Sequence, residues 1–498
     1  MKKLFLIILC IFTLLSGCTG QNKPNGEVWE TDVVVVGAGM AGLSAAISAK
    51  EAGANVILIE KQGMIGGSAG LASGAFAVTG SHFEKEQNVE DTVDAAVKRW
   101  MNWGNVWGVE RKDSPNLFPN EEKVEFILSK TGENIDWMEA HGVKYKDSIL
   151  VYTNNMTRLV ANYPDYGTGG MGVATTLKEN AEKLGVTVYT DTKGSKLVVE
   201  DGKVTGIIAE KDGKEVTIKA NNVILTTGGF SHNEEMMKDL VPEFAGMKTT
   251  AASGTTGDGI KMALEVGAVL YEDAWVISAN PSVSDAYLSV NKDASTLPYK
   301  TSPMVNANGE RFINENSWYS ALSNSMAIID GQEYSIYDSS DATRVAILES
   351  GLESGEVIKA ETLSELAGKL QMDSTKLEST IKDFNDKTDG LIPDPYPEKS
   401  TAQGLGSSEA KADDSHPRVK VGPFYAVKMY PVYMGTMGGV KTDNDAHVLN
   451  AQGEIIPGLY AAGEMSNRPF YHYTYMGAGS LSSYSIMGRI AGENAAKK

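Results

Sequence analysis

The chain has 498 residues, 42% of them hydrophobic, and a formal net charge of −19. That length allows about two or three domains around a large core, and no biased tract argues for disorder. A chain this acidic is a poor nucleic-acid binder and has no general attraction for anionic substrates.

The first predicted element is MKKLFLIILCIFTLLSGCTG, with a basic start and a short apolar run ending in Leu15-Ser16-Gly17-Cys18. The run is too short to span a bilayer and ends in small residues, so residues 1–17 read as a signal peptide. LSGC resembles a bacterial lipobox. That resemblance implies cleavage before Cys18, a lipid on Cys18, a tether over 18–27 and residence on the bacterial extracytoplasmic face. Cys10 leaves with the signal, so Cys18 stays as the sole cysteine, and disulfides and cysteine metal sites are excluded. Loss of Lys2 and Lys3 takes the formal charge from −19 to −21. No later apolar run is long enough to cross a membrane.

TDVVVVGAGMAGLSAAISAKEAGANVILIEK follows the tether. Val33–Val36 reads as a buried strand, and Gly37-Ala38-Gly39-Met40-Ala41-Gly42 as a GxGxxG turn into a helix of small residues. Val56–Ile59 forms a second strand that ends in Glu60. Glycines let the backbone approach a pyrophosphate at a helix N-terminus, and the acidic side chain accepts hydrogen bonds from a ribose. Placed strand–turn–helix–strand–Glu, the motif predicts a dinucleotide, NAD or FAD. Further on, Gly66-Gly67-Ser68 follows Glu60-Lys61, a β-meander is predicted over about 186–220, and NNVILTTGGF ends a strand in Gly228-Gly229. IPGLYAAGE, residues 456–464, supplies a late strand and Glu464.

These pieces, with SGTTGDG at 253–259, NGERFINE at 308–315 and GTMGGVKTD at 435–443, resemble the FAD-dependent fumarate reductase and 3-ketosteroid dehydrogenase superfamily from about residue 30 to the end. The resemblance implies an α/β fold, a Rossmann-like FAD-binding domain (28–278 and 434–498) split by an inserted α+β cap domain (279–433). It implies FAD contacts from the glycine turns and from Ala41, Glu60, Lys61, Ser68, Asp258 and Glu464. The Ser480-Leu481 backbone joins them. Membrane-complex relatives attach FAD through a histidine after the GG loop. SAGLASGA has none, so the flavin is expected to be noncovalent. The later part of the cap, about 360–390, has helical patterning, and residues 391–418 read as a long surface loop.

The cap departs from the soluble fumarate reductases. Asn280-Pro281-Ser282 stands where they have His-Pro-Thr, Tyr319 where they have a donor arginine, Gly435 where they have histidine, and Tyr475 at a second arginine. Their proton-relay positions fall near Ser295 and Pro298. A dicarboxylate shut away from water needs paired charges, and the segments expected near the pocket offer only Lys292, Lys300, Arg311 and Arg468, with Arg311 structural. The replacements resemble the 3-ketosteroid dehydrogenases instead. Their YxGxG matches Tyr475-Met476-Gly477-Ala478-Gly479, implying that the Tyr475 hydroxyl and Gly479 N–H hold a ketone oxygen. Tyr319 matches their proton-transfer tyrosine, while Tyr163 and Tyr166 are the nearest counterparts of a further one. Glu464 departs from the asparagine usual in the steroid enzymes. From residue type alone, Tyr319 fits helix-start side-chain packing, Tyr471–Tyr475 fits a core strand, and His472 is structural.

The expected function is reduction, or else oxidation, of a carbon–carbon bond beside a carbonyl of a small molecule such as a neutral enone. Alternatives are a reductase of an unsaturated carboxylate (aryl acrylate, urocanate, fumarate) and a non-catalytic electron-relay flavoprotein. The chain has no CxxCH haem site, and NADH is not found outside the cytoplasm, so a separate membrane-associated electron donor is expected. Replacing the lipobox cysteine, Cys18→Ala, should release the protein from the membrane fraction; unchanged fractionation would refute the anchor.

Overall fold

Val33–Val36 are buried because strands flank them on both sides. The strand Glu27–Val36 pairs in parallel with Val56–Ile59, Val33 opposite Val56, and with Lys214–Leu225, Val33 opposite Asn222. Strands covered on both faces read as unbroken apolar runs, as this one does. In the computed structural model, residues 27–107, 117–146, 149–152, 157–161, 169–282, 302–315, 317–329, 332–396 and 418–497 are described. Cys18, Tyr163, Tyr166, Lys292, Ser295, Pro298 and Lys300 lie outside them.

The main sheet runs His447–Leu449, Ile455–Ala461, Lys214–Leu225, Glu27–Val36, Val56–Ile59, Thr187–Tyr189. The predicted meander is present: Thr192–Glu200 and Lys203–Lys211 form an antiparallel pair that continues into Lys214–Leu225. Ile455–Ala461, from the far end of the chain, joins the same sheet in parallel, Leu459 opposite Val223.

Two helices from opposite chain ends lie against each other. A Cβ on Gly488 would stand 2.2 Å from the Ala41 carbonyl oxygen, and one on Gly492 2.2 Å from that of Ala45. Glycine alone permits this approach, and the order of the contacts makes Met40–Glu51 and Gly479–Ala495 parallel. The start of the last helix is thereby carried to the end of the sheet where the GxGxxG turn lies.

Within 302–429 a four-stranded antiparallel sheet forms in the order Met304–Val305, Glu333–Tyr337, Phe424–Met429, Val357–Ala360. Helices Leu363–Leu370 and Ser374–Thr388, capped by Thr362 and Asp373, match the predicted helical stretch. Apolar clusters around Tyr337 and Val427, and around Ile336 and Leu377, are separate from the main core. The helix Tyr319–Ile329 belongs to both sides: Ala321 and Ala327 sit in the main core, Leu322 and Met326 in the cluster around Tyr337. Residues 391–396 are neither helix nor strand, and the rest of the expected loop, 397–417, lies outside the described residues. Among the described residues, no helix is long and apolar enough to cross a membrane.

The turn before that shared helix is held by one cation. Arg311 donates to Glu315 at 2.9 and 2.7 Å and to Asp394 at 2.5 and 3.2 Å. Burial works to raise the Asp394 carboxyl, but the Arg311 hydrogen bonds prevail and hold it below the usual carboxylate range. Glu315 also accepts from the Met304 N–H at 3.0 Å, tying the turn to the cap sheet. Arg311→Met leaves the buried Glu315 carboxylate without its cation, while the half-buried Asp394 keeps Lys387 at 3.2 Å, and breaking a buried pair costs ~3–5 kcal/mol. A clearly lower urea midpoint is expected, and an unchanged midpoint would show the network to be dispensable.

Candidate active site

A cavity of about 370 Å³ opens at the end of the main sheet. Gly37, Gly39 and Ala41 of the first turn line it, joined by Gly66, Gly67 and Ser68 of the second. A Cβ on Gly67 would meet no protein atom within 4 Å, and one on Gly39 only the Gly66 oxygen at 3.9 Å. These glycines are therefore bare toward the cavity, where backbone can approach a pyrophosphate. Gly42 plays another part. Its Cβ would stand 1.8 Å from the Gly37 oxygen, so it serves helix–strand contact and stands outside the lining, a correction to its expected cofactor contact.

Glu60 accepts from the backbone N–H groups of Ala38 and Gln62, both at 2.8 Å. Both oxygens keep lone pairs for ribose hydroxyls. Lys61 bonds Asp258 at 2.7 Å and Thr256 at 2.6 Å, bridging two lining segments. Burial would raise the Asp258 carboxyl, but Lys61 outweighs it and holds it low. Thr192, Lys193, Gly194, Met171 and Tyr484 also line the cavity. The spacing of the sequence motifs gave no signal for these five. Glu464 is buried and its pKa is pushed up to about 7, burial outweighing the bonds from the Thr436 N–H at 2.8 Å and hydroxyl at 3.0 Å. The residues present fit FAD, and with no histidine in SAGLASGA they offer no histidine linkage there.

The structure brings Tyr319 and the 475–479 loop together. Trp318 Nε1 and Ser320 Oγ both donate to the Tyr475 carbonyl, at 2.9 and 3.1 Å, and Asn324 donates to the Tyr473 carbonyl at 3.0 Å. Tyr319 opens the helix half-buried, its ring 4.9 Å from that of Trp318. Its hydroxyl lies 3.8 Å from where a Cβ on Gly477 would stand. Tyr475 accepts from Ser480 Oγ at 3.0 Å, and burial raises its pKa, so it keeps its proton. Gly479 differs from expectation: its N–H donates to the Gly477 carbonyl at 2.6 Å, a tight turn that leaves it engaged. Ser480 and Leu481 begin the last helix but stand outside the cavity lining.

The strand alternative for 471–475 is not realised, because the segment carries no ladder. His472 presses on Gly104, where a Cβ would meet Nε2 at 2.1 Å, and burial together with Arg468 lowers its pKa to about 4. It stays neutral and is no proton donor near neutral pH. Arg468 is fully buried; it bonds the Asp273 carboxylate at 3.3 Å and the Tyr471 carbonyl at 2.5 Å, and lies over the Phe118 ring. Arg468, one of the four cations expected near the pocket, has its guanidinium bonded to Asp273 and the Tyr471 carbonyl inside the protein.

Residues 32–481 match the family described as the FAD binding domain. The chain is 31% identical over 474 residues to the fumarate reductase (cytochrome) of Shewanella frigidimarina, covering 94% of this chain and 77% of that one. It is 29% identical to the 3-oxosteroid 1-dehydrogenase of Mycolicibacterium smegmatis over 90% of this chain and 94% of that one. The solved 3-ketosteroid-Δ4-(5α)-dehydrogenase of Rhodococcus jostii RHA1, in complex with 4-androstene-3,17-dione, superposes with a TM-score of 0.72 at 26% identity, covering 94% and 97%. With its glycine cradle and Glu60 in the matched region, the chain belongs to the FAD-binding domain family and is an FAD-dependent oxidoreductase.

Proposed function

We propose that the protein is a lipid-anchored extracytoplasmic reductase of a carbon–carbon double bond next to a carbonyl, with a neutral, 3-oxosteroid-like enone as substrate. The observation that carries this reading is the approach of the Tyr319 hydroxyl to the Tyr475–Gly479 loop. Arg311 and Arg468, the two described cations considered for a substrate carboxylate, are both committed to internal partners. Likeness to the 3-oxosteroid 1-dehydrogenase over 94% of that protein supports it too. An unsaturated carboxylate, suggested by the fumarate reductase likeness, would need a cation that Arg468 does not supply.

Bound FAD supplies the hydride for the β-carbon. The Tyr475 hydroxyl, which accepts from Ser480 and keeps its own proton to give, holds the carbonyl oxygen as charge develops there. Gly479 N–H becomes a second donor only if its turn to Gly477 opens. Tyr319 gives its proton to the α-carbon. Residues 279–433 close over the site as a cap, Cys18 carries the anchor, and electrons arrive from a separate membrane-associated donor.

Dithionite-reduced protein mixed anaerobically with fumarate, an aryl acrylate and neutral enones tests the reading. An enone should reoxidise the flavin fast and fumarate should not. Fast fumarate turnover would end the neutral-substrate reading, and no acceptor at all would leave an electron relay. On the working acceptor, Tyr319→Phe should lower turnover ~10²–10⁴-fold with flavin content unchanged. Tyr475→Phe, removing a donor to the oxygen, should lower it ~10²–10³-fold. A wild-type rate in Tyr319→Phe would make that tyrosine structural.

A further inference from the structure

Behind Tyr475 lies a row of hydroxyls, buried at Tyr471 and Ser483 and half-buried at Ser480. Ser480 Oγ donates to the Tyr475 oxygen at 3.0 Å, and the Tyr471 hydroxyl donates to Ser480 Oγ at 3.2 Å. Tyr471 and Ser483 are 3.1 Å apart, oxygen to oxygen. Either oxygen can donate in this last bond. A second acceptor for the Ser483 proton, the Ser480 carbonyl, is farther away at 3.3 Å. The Tyr471 and Ser480 protons point toward Tyr475, whose own proton is left for the substrate, and Ser483 stands within hydrogen-bond reach behind them.

The far end of the row reaches a second, small cavity. Ser483 and Lys123 both line it, together with Asn467 and Met487. Its volume of about 20 Å³ suffices for one water, which needs roughly 10–15 Å³. Lys123 is half-buried at its edge, with Nζ 3.1 Å from Asn444 Oδ1 and 3.5 Å from the Asp443 carbonyl.

We infer that this row is a proton-supply line running from solvent at Lys123, through a water in the small cavity, along Ser483, Tyr471 and Ser480, to Tyr475. The inference rests on the reading above that Tyr475 faces the substrate carbonyl. Hydride from the reduced flavin adds to the β-carbon. The Tyr475 O–H bond breaks as an O–H bond forms on the carbonyl oxygen, giving an enol. Each hydroxyl behind it passes one proton forward, the cavity water gives one to Ser483, and the Lys123 ammonium refills the water. Solvent then reprotonates the Lys123 amine. Tyr319 gives its proton to the α-carbon and takes the enol O–H proton, so one proton enters per double bond reduced.

Lys123 is suited to the task. Burial lowers its pKa to about 8, against the opposing charges of Asp443 and Asp445. The Asp443 carboxylate is itself bonded to His447 at 2.9 Å. The Phe126 ring lies 5.3 Å from Nζ, with Lys130 over the same ring. A lysine that must be protonated to supply protons makes turnover fall as pH rises through about 8.

The test uses full-length FAD-loaded protein, dithionite as reductant, and 2-cyclohexen-1-one or 4-androstene-3,17-dione as acceptor, followed over many turnovers across pH in H₂O and D₂O. Lys123→Gln should be slower than wild type below pH ~8 and should lose the alkaline fall. Tyr471→Phe and Ser483→Ala should be at least ~10-fold slower, with a changed solvent isotope effect and unchanged FAD content. If Tyr471→Phe does not fold, Ser483→Ala and Lys123→Gln carry the test. A wild-type pH profile in Lys123→Gln, or wild-type rates in Ser483→Ala, overturns the supply line while a slow Tyr475→Phe keeps the function reading. A fast Tyr475→Phe, or no acceptor oxidising the wild-type flavin, overturns both.

Discussion

The contact on which the arrangement depends is the one between the two helices from opposite chain ends. Gly488 and Gly492 let the last helix lie on the Ala41 and Ala45 carbonyls, where any side chain would collide. Because that helix begins at Gly479, its depth against the first helix fixes where the 475–479 loop stands relative to the glycine cradle. This contact lays the start of the last helix beside the first helix, which the nucleotide motif of residues 37–42 opens, and Tyr484 of the last helix lines the cavity with that motif. A larger residue at Gly488 would strike the Ala41 backbone, itself part of the cradle, and so disturb both ends of the arrangement.

Much of this was legible in the sequence where local chemistry dictates local structure. Val33–Val36 announced a strand covered on both faces, and Glu60 at its offset announced a carboxylate beside the cradle. The capping residues Thr362 and Asp373 stand at the starts of helices predicted from their periodicity. What stayed hidden depends on long-range partners. Arg468 reads like a free cation, and only the fold brings Asp273 and the Tyr471 carbonyl to it. Gly42 has the same motif position as a cofactor contact, yet its neighbours are Gly37 and Thr226. Lys123, in an ordinary helix start, carries no sign that Ser483 will be near it.

Burial explains the electrostatic character of the site. Tyr471, Tyr475 and Tyr484 all have raised pKa values with burial as the leading cause, so the region is rich in protons held on neutral hydroxyls and poor in free charge. Glu464 follows the same rule, pushed up to about 7. Among the described residues, the charges of Arg468 and Lys61 are answered by carboxylates within the protein. Burying an uncharged ligand against such walls costs less desolvation than burying a carboxylate, which would have to break one of these pairs or stay unpaired.

The helix Tyr319–Ile329 is built into two apolar clusters at once, and its side chains and Trp318 before it grip the backbone of 473–475. On its other side Leu322 and Met326 pack with Tyr337 and Val427 of the antiparallel sheet, and Glu315 just before the helix accepts from the Met304 N–H of that sheet. Tyr319 thus stands at the start of an element pinned from two sides, so a packing change in either apolar cluster would be felt at its hydroxyl.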